Sequence, residues 1–348
     1  MLKIMNLFRI LNKEKLSKRE IIFLILLNNT EECNLLYDKA ESITRKYFGN
    51  QIHLRGIIEF SNYCRQNCFY CGLRKSNKSI KRFRMGAKEI LEVAESIYGA
   101  GIKTIVLQSG EDPFYTGKFI EKIIKQIKNS FDVAITLSVG ERPFKDYDIW
   151  RNAGADRYLL KHETANKTLY NKIHPGQNFE TRIKHLKYLK QIGFQIGSGN
   201  IVGLPNQTAE NIADDIILCN KLDVDMASFS PFIHAENTPF HNIPNGNLRL
   251  LLNTMAVARI VLHNVHIPAT TALATLNKSG REKGLRAGAN VIMPSFTPVS
   301  HRKNYLIYKG KKCIGENPME YLLYLKTKLA KTGKKFSHSK GNSLKPVL

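Results

Sequence analysis

Residues 53–72 read HLRGIIEFSNYCRQNCFYCG. The run at 53–60 is apolar and β-branched and predicts a strand, while the remainder is a polar loop with three cysteines. After this stretch, short apolar runs alternate with longer segments of helical period. Further strands are predicted at 103–109, 133–138, 156–161, 195–202, 225–230, 266–270 and 290–293. Helices are predicted at 87–99, 116–129, 144–152, 179–192, 208–222, 247–263 and 278–287. Strands that alternate with helices predict an α/β fold with a parallel sheet, and eight such strands close a (β/α)8 TIM-type barrel.

An N-terminal helical pair is predicted ahead of this barrel. Ser17 and Glu20 form a capping-box pattern before an apolar run, and Thr30 is predicted to cap a second helix that ends near Gly49. An open doubly wound sheet is the alternative architecture, but no Gly-rich phosphate loop follows the first strand.

A short C-terminal extension is predicted after the barrel. It holds a helix at 319–331 and a lysine-rich tail after Gly333 that we expect to be solvated and poorly ordered. The predicted domains are therefore an N-terminal helical extension at 1–50, the barrel at 51–308 and a C-terminal helix with a basic tail at 309–348.

The net charge is strongly positive. Lys and Arg number 53 against 29 Asp and Glu among 348 residues, a formal charge of +24. Such an excess suits nucleic-acid binding, but no recognisable nucleic-acid module or aromatic platform accompanies it, so we do not expect nucleic acid as a partner. A lysine-rich, solvated surface is the alternative explanation.

Membrane insertion and secretion are not expected. The longest aliphatic run, at 21–27, is too short to cross a bilayer, and no signal-peptide pattern is visible. Six cysteines are too few for a disulfide scaffold of this length, which favours a reducing compartment. The predicted location is the cytoplasm, or an organelle matrix if the source is a eukaryote.

Three of the cysteines lie together in the loop after the first strand. Cys64, Cys68 and Cys71 have the spacing C-x3-C-x2-C, with an aromatic residue directly before the third. Three thiolates can hold three irons of a [4Fe–4S] cube and leave the fourth iron for an outside ligand. A structural zinc site is the alternative, but it needs a fourth ligand, and no nearby Cys or His completes a zinc pattern.

This loop resembles the signature of the radical S-adenosylmethionine (SAM) superfamily. The resemblance implies that the open iron binds SAM and that one electron cleaves the sulfonium to give methionine and a 5′-deoxyadenosyl radical. Ser109-Gly110-Glu111 resembles the Gly-Gly-Glu motif that meets the SAM amino group. Glu163 is expected at the ribose or amino group, Arg182 at the carboxylate, and Tyr70 and the 199–205 stretch near adenine. The residues expected to bind SAM are Tyr70, Ser109, Gly110, Glu111, Thr136, Ser138, Glu163, Arg182 and Ile201.

A closer resemblance is to the HydE-type maturases of [FeFe]-hydrogenase. It rests on residues 53–62, 106–113, 156–164, 267–272 and 288–294, and it runs from the N-terminal helices to about Tyr308. Methylornithine synthase and biotin synthase share the broader architecture. The HydE resemblance implies that the radical attacks the sulfur of a cysteine-ligated iron carbonyl cyanide unit supplied by another maturase. It also implies an electron donor such as ferredoxin or flavodoxin.

Such a small anionic substrate calls for positive charge and hydroxyl groups in the barrel. The residues expected to bind it are Arg55, Gln108, Lys161, Met226, Thr270, Thr271, Met293 and Tyr308. Arg55 shares a strand face with Glu59, so an internal ion pair between them is the alternative. For the two methionines the alternative is ordinary core packing.

Two departures from the family pattern bear on function. Several family members carry a second cysteine set with C-x7-C-x2-C spacing, whereas here only Cys313 is present and Tyr321 and Tyr324 stand at the later positions. We therefore expect one cluster and no auxiliary cluster, which also argues against biotin synthase. Lys161 stands where the family often has Arg, so bidentate anion binding is lost. A methylornithine-synthase-like mutase acting on an amino acid is the second hypothesis, and a non-catalytic iron–sulfur or basic scaffold protein the third.

Overall fold

The structure, a computed structural model, describes residues 2–312 and 314–345. The helices are α1 Leu2–Leu11, α2 Lys18–Ile25, α3 Thr30–Phe48, α4 Ala87–Gly99, α5 Gly117–Ser130, α6 Phe144–Asn152, α7 Lys167–Ile173, α8 Phe179–Gln191, α9 Ala209–Lys221, α10 Leu248–Leu262, α11 Thr271–Leu276, α12 Gly280–Arg286, α13 Val299–Arg302 and α14 Pro318–Ala330. The strands are β1 Gln51–Leu54, β2 Gly56–Ser61, β3 Thr104–Ser109, β4 Ala134–Ser138, β5 Arg157–Leu159, β6 Gln195–Val202, β7 Met226–Pro231, β8 Val291–Ile292 and β9 Lys335–Ser337.

The parallel strands form a closed ring. Strands β2 to β7 lie side by side in chain order, and every neighbouring pair is parallel. From β7 the ring continues through parallel bridges from Met226 to His266 and from Pro268 to Val291. Strand β8 then pairs with β1, and a bridge between Ile57 and Ser295 joins it back to β2. The predicted (β/α)8 barrel is confirmed.

The strand predictions differ from the structure at two places. The predicted strand at 53–60 is two strands, β1 and β2, interrupted at Arg55. The predicted strand at 266–270 makes only the two isolated bridges. Both segments belong to the part of the ring where the sheet closes on itself, and the pairing of β1 with β8 there spans only two residue pairs.

The predicted helical pair is present as α2 and α3, and α1 precedes it. The capping box of Ser17 and Glu20 forms as expected. The side chain that caps α3 is Asn29, one residue before Thr30, and it accepts from two backbone N–H groups of the first turn. Helix α3 lies along α10, and α2 packs against α9 and α10, so the pair adds to the outer helical layer. No helix in the described part of the chain combines the length and apolar character that a membrane crossing requires.

The C-terminal tail is ordered against the barrel, which corrects the expectation of a solvated end. Strand β9 pairs with β1, in parallel. Beyond it, the backbone carbonyls of Lys340 and Gly341 accept hydrogen bonds from the buried Arg157 guanidinium, at 2.8 and 3.0 Å. The Lys340 carbonyl also accepts from Thr104. The polar composition of the tail did not predict this docking, because the tail binds Arg157 and Thr104 through backbone carbonyls, which every residue type has.

The tail covers the amino-terminal end of the barrel. Its contacts fall at the starts of several strands: Thr104 begins β3, Arg157 begins β5 and Gln195 begins β6. Ser343 donates to Asp225, just before β7. The carboxyl-terminal end of the barrel lies at the opposite side, and the conserved geometry of such barrels places the active site there.

We predict that Arg157→Gln destabilises the fold. The substitution leaves the tail carbonyls without their buried donor, and hydrogen bonds to charged groups contribute about 1.5–3 kcal/mol each. The melting temperature should fall by about 5–10 °C, and the tail should become more sensitive to protease. Calorimetry and limited proteolysis measure both.

Lys340→Ala is the matched control. It removes a tail side chain whose partner, Asp132, is exposed, and it leaves the Lys340 carbonyl in place. An equal fall of melting temperature in both variants would contradict the assigned role of Arg157.

Candidate active site

A cavity of about 390 Å³ occupies the carboxyl-terminal end of the barrel. Its walls come from the ends of the strands and from the loops that follow them. The predicted site residues that line it are Cys64, Cys68, Tyr70, Cys71, Gln108, Ser109, Gly110, Glu111, Ser138, Lys161, Glu163, Arg182, Ile201, Thr270, Thr271, Met293 and Tyr308.

The cysteine loop between β2 and α4 is organised by one arginine. The Arg82 guanidinium donates to four backbone carbonyls of this loop: those of Asn62, Leu73, Arg74 and Asn77. A loop of this length without regular structure has many carbonyl groups that need donors. Arg82 therefore sets the shape in which the cysteines are held.

The three thiols face the cavity without forming a site for a single ion. Among the described residues, no group of three or more His, Cys, Asp or Glu side chains is arranged to hold one metal ion. Burial raises the pKa of Cys71 to about 12, and burial likewise raises the pKa of Cys64 and Cys68. Thiolates here need compensating positive charge, which bound iron supplies. One thiolate to each of three irons suits an open [4Fe–4S] cube and argues against a closed zinc site.

Two glycines, one after β3 and one after β4, allow the segment that follows β3 to approach the cysteine loop. A Cβ on Gly110 would lie 2.1 Å from the Tyr63 carbonyl oxygen and 2.9 Å from Cys64 Cβ. Gly140, with φ of +75°, packs against Glu111, whose Oε2 would lie 2.5 Å from an added Cβ. The Ser109-Gly110-Glu111 segment thus lies directly against the first cysteine.

Glu111 braces this arrangement. Its Oε1 accepts from Arg65 Nε at 2.5 Å and from Gln66 Nε2 at 2.7 Å, and its Oε2 accepts from the Glu141 backbone N–H at 3.0 Å. A carboxylate has about four acceptor positions. One position remains for the ligand amino group that the sequence pattern predicts.

Glu163 has the unusual backbone of a functional position. Its φ is +61°, a left-handed value that is uncommon for a residue with a side chain. Its Oε2 is buried and makes no directed hydrogen bond, although the Lys161 ammonium lies 3.0 Å away. A buried carboxylate oxygen without a hydrogen bond, in the cavity wall, fits a ligand that brings hydroxyl or amino donors.

Arg182 reaches the same wall from α8, and much of its guanidinium is already bonded. It donates to Glu141 Oε1 at 2.6 Å, to the Lys161 carbonyl at 2.7 Å and to Gln177 Oε1 at 2.8 Å. Three of its five N–H donors are therefore used, and two remain. The predicted pairing with a ligand carboxylate has to use these two.

Tyr70 is fixed by a histidine that sequence analysis did not identify. His174 Nδ1 lies 3.0 Å from the Tyr170 carbonyl, which requires a proton on Nδ1, so Nε2 accepts from Tyr70 Oη at 2.9 Å. Burial lowers the pKa of His174 to about 4, which keeps the ring neutral and the acceptor available. Tyr70 also packs in a small apolar cluster with Ile201.

The remaining wall holds the predicted substrate residues and an unpredicted ion pair. Gln108 donates to Tyr305 Oη at 3.2 Å, and Thr270 accepts from Leu273 N–H as the cap of α11. Lys311 reaches in from beyond the predicted barrel boundary and forms a buried ion pair with Glu59. A single lysine in a lysine-rich segment carries no sequence signal, so Lys311 was missed. Gln66 and Gln177 were missed because a single glutamine in a polar loop likewise carries no sequence signal.

Arg55, Thr136 and Met226 do not line this cavity, which corrects three predicted contacts. They border a separate cavity of about 10 Å³ lower in the barrel, which is scarcely large enough for one water. The register explains the difference, since Ser138 pairs with Gln108 whereas Thr136 pairs with Val106. Two residues along a strand lower a side chain by about 6.6 Å. Arg55 donates to Met226 Sδ at 3.0 Å, and Glu59 forms its ion pair with Lys311, so the alternative pairing of Arg55 with Glu59 is also wrong.

Comparison with known proteins decides the family. The sequence profile of the radical SAM superfamily matches residues 58–219. The [FeFe] hydrogenase maturase subunit HydE of Thermotoga maritima is 47% identical over 308 residues, which cover 87% of this chain and 88% of that protein. The chain belongs to the HydE family of radical SAM enzymes.

Methylornithine synthases are also similar to this HydE family member. The 3-methylornithine synthase of Methanosarcina acetivorans is 30% identical over 303 residues, which cover 85% of each protein. A crystal structure of methylornithine synthase superposes with a TM-score of 0.83 at 24% identity, covering 95% of this chain and 97% of that one. This last likeness shows the common fold. Membership of the family implies SAM and a [4Fe–4S] cluster as cofactors.

We predict that Gly110→Ala prevents stable cluster binding. The added methyl group overlaps the Tyr63 carbonyl, so the cysteine loop has to move away from the strand end. The iron content after anaerobic reconstitution should fall well below the value of about four per chain that one cluster supplies. Iron and sulfide analysis and the visible absorption of the cluster measure this.

Gly99→Ala is the matched control, because nothing lies within 4 Å of a Cβ at that position. Full cluster loading of the Gly110→Ala variant would show that the close approach is not required.

Proposed function

We propose that this enzyme binds SAM and one [4Fe–4S] cluster and acts on a cysteine-ligated iron carbonyl cyanide precursor during maturation of the [FeFe]-hydrogenase active site. The bound cluster and SAM supply, by one-electron reduction, a 5′-deoxyadenosyl radical that attacks the cysteine sulfur of this precursor. One observation carries the proposal: the three cysteines and the polar strand ends share a single cavity in a chain that is 47% identical to a HydE protein.

At the SAM end of the cavity, the protein holds the cluster and orients SAM. Cys64, Cys68 and Cys71, which line the cavity, would hold three irons of the cluster and leave the fourth iron for SAM. The remaining acceptor position of Glu111 binds the SAM amino group, and the buried Glu163 Oε2 accepts from the ribose hydroxyls. The two unused donors of Arg182 bind the carboxylate. Tyr70 and Ile201 cover the adenine from the apolar side of the cavity.

At the other end, the substrate meets paired charges. Lys161 forms an ion pair with Glu163, and Lys311 forms one with Glu59. Once Glu163 accepts hydroxyl groups of SAM, the Lys161 ammonium is available to an anionic substrate. Gln108, Thr270, Thr271 and Tyr308 add polar contacts, and Met293 supplies an adaptable apolar wall. A lysine presents a point charge where the family often has a fork of donors, which lowers geometric selectivity for a carboxylate.

The proposal includes one cluster only. Tyr321 and Tyr324 occupy the later positions of the second cysteine pattern, and Cys313 lies outside the described residues. We propose further that the enzyme works in the cytoplasm, or in an organelle matrix if the source is a eukaryote. There it receives its substrate from other hydrogenase maturases and its electron from ferredoxin or flavodoxin. The three domains predicted from the sequence, at 1–50, 51–308 and 309–348, are retained as part of this proposal, with Lys311 as a contribution of the last to the site.

We predict that Cys68→Ala abolishes reductive SAM cleavage. Two remaining thiolates cannot hold the cluster in its open, three-coordinated form, so dithionite-dependent formation of 5′-deoxyadenosine should fall to background. Anaerobic reconstitution followed by chromatography of methionine and 5′-deoxyadenosine measures the product.

Cys219→Ala is the control, since this buried thiol lies on α9 away from the cavity. It should keep both iron and activity. SAM cleavage by the Cys68→Ala variant at the wild-type rate would contradict the role proposed for Cys68, whereas no SAM cleavage by the reconstituted wild type would favour the scaffold hypothesis.

The substrate is tested by direct competition between the two enzymatic hypotheses. The reconstituted enzyme is given SAM and dithionite with either the cysteine-ligated iron carbonyl cyanide complex or L-lysine. We predict that the iron complex is consumed with stoichiometric formation of methionine and of a product whose cysteine sulfur carries the 5′-deoxyadenosyl group, and that lysine is unchanged. Conversion of lysine to 3-methylornithine, detected by mass spectrometry, would replace the maturase proposal with the mutase hypothesis.

A further inference from the structure

The segment 61–84, which carries the three cysteines, has an unbalanced charge. It contains seven basic residues and no acidic residue: Arg65, Arg74, Lys75, Lys78, Lys81, Arg82 and Arg84. The side chains of Lys75, Lys78 and Lys81 are exposed, and none of them forms an ion pair with a carboxylate of the described residues. The catalytic cavity does not use these three lysines. They form a positive rim on the outer surface of the cysteine loop.

Next to this rim lies a rigid stack of exposed side chains. The Arg84 guanidinium lies 3.8 Å from the Tyr63 ring centre and 4.4 Å from the Phe114 ring centre. The buried Asp112 fixes it through two hydrogen bonds of 2.8 and 3.0 Å. Phe114 is nevertheless 59% exposed and Tyr63 36% exposed. Exposed aromatic and arginine side chains that are already held in place are typical of the centres of protein interfaces.

The segment that carries the rim is tied to the segment that carries the stack, since the Arg82 guanidinium binds the carbonyls of Arg74 and Asn77, the residues before Lys75 and Lys78. Tyr63 immediately precedes Cys64, and the segment of Lys81 and Arg84 runs beside it through a bridge between Ser61 and Arg84. The Asn62 side chain donates to the Lys81 carbonyl at 2.8 Å. We call the surface of Tyr63, Lys75, Lys78, Lys81, Arg84 and Phe114 the basic face.

We propose that the basic face is the docking surface for a small acidic protein that carries one electron. This inference rests on the proposed function, in which each SAM cleavage consumes one electron. In the docked complex the reduced carrier loses one electron and the oxidised cluster gains it. Electron transfer through protein weakens steeply with distance, so the carrier has to dock where the cysteine loop reaches the surface. Acidic side chains on the carrier complement the three lysines, and its apolar contacts meet Tyr63 and Phe114.

The test compares two sources of electrons for the reconstituted full-length enzyme. One is an acidic bacterial flavodoxin kept reduced by its reductase, and the other is saturating dithionite. The variant is K75E/K78E/K81E, and 5′-deoxyadenosine formation is the readout. We expect the flavodoxin-driven rate at low ionic strength to fall at least about tenfold in the variant, because steering charges change association rates by that order. The dithionite-driven rate should stay within twofold of wild type.

The matched control is K122E/K187E/K326E, which reverses three exposed lysines on α5, α8 and α14 without ion-pair partners among the described residues. It should keep the wild-type rate with both reductants. Phe114→Ser should slow only the flavodoxin-driven reaction. An unchanged flavodoxin-driven rate in K75E/K78E/K81E, or an equal fall in the control, would overturn the proposal.

A second measurement covers the case in which K75E/K78E/K81E loses its cluster. Wild-type enzyme with its cluster is cross-linked to flavodoxin by a carbodiimide, and mass spectrometry identifies the joined lysines. Links at Lys75, Lys78 or Lys81 that disappear at high salt support the proposal, and links confined to other lysines overturn it. Displacement of flavodoxin by an RNA oligonucleotide that protects the same lysines more strongly would also overturn it. Failure of the wild-type enzyme to cleave SAM with dithionite would count against the proposed function. The cross-linking result would still decide whether flavodoxin docks on the basic face.

Discussion

The hydrogen bonds of Arg82 are the contact on which the active site depends. The three cysteines lie on a loop that has almost no regular structure, so the strands cannot fix their positions directly. A single guanidinium that binds four carbonyls of that loop does so instead. Gly110 then lets the neighbouring strand end come against the first cysteine, and Glu111 ties Arg65 and Gln66 of the loop to the barrel. The site is rigid because a loop is bonded to a barrel at several points.

The charges of the cavity wall are paired within the protein. Lys161 has Glu163, Arg182 has Glu141, and Lys311 has Glu59. An isolated charge in such a wall would be costly, since removing one ion from water costs several kcal/mol. A ligand that enters therefore meets charges that are already paired, and it binds the donor and acceptor positions that these pairs leave unused. Such a wall favours ligands that carry both donors and acceptors, as an amino acid and a nucleoside do.

Sequence patterns predicted the barrel and the polar strand ends in the cavity wall for a clear physical reason. The alternation of strands and helices and the ends of strands are local properties, so residues such as Ser138 and Glu163 were predicted at strand ends, and both lie in the cavity wall. The height of a side chain inside the barrel depends on the register between strands, which is not local. Arg55, Thr136 and Met226 point inward as expected and still lie below the cavity. Lys311 and the tail contact strands that are distant from them in the sequence, and no short-range sequence pattern predicts such contacts.

The ordered tail has a consequence for the traffic of small molecules. Because residues after β9 cover the amino-terminal end of the barrel, the described structure leaves the opposite mouth as the route into the cavity. Two different molecules that share a passage with one entrance must be loaded in sequence, the deeper one first. They must also be unloaded in the reverse sequence. The architecture of the barrel therefore fixes the order in which two ligands at different depths of the cavity bind and leave.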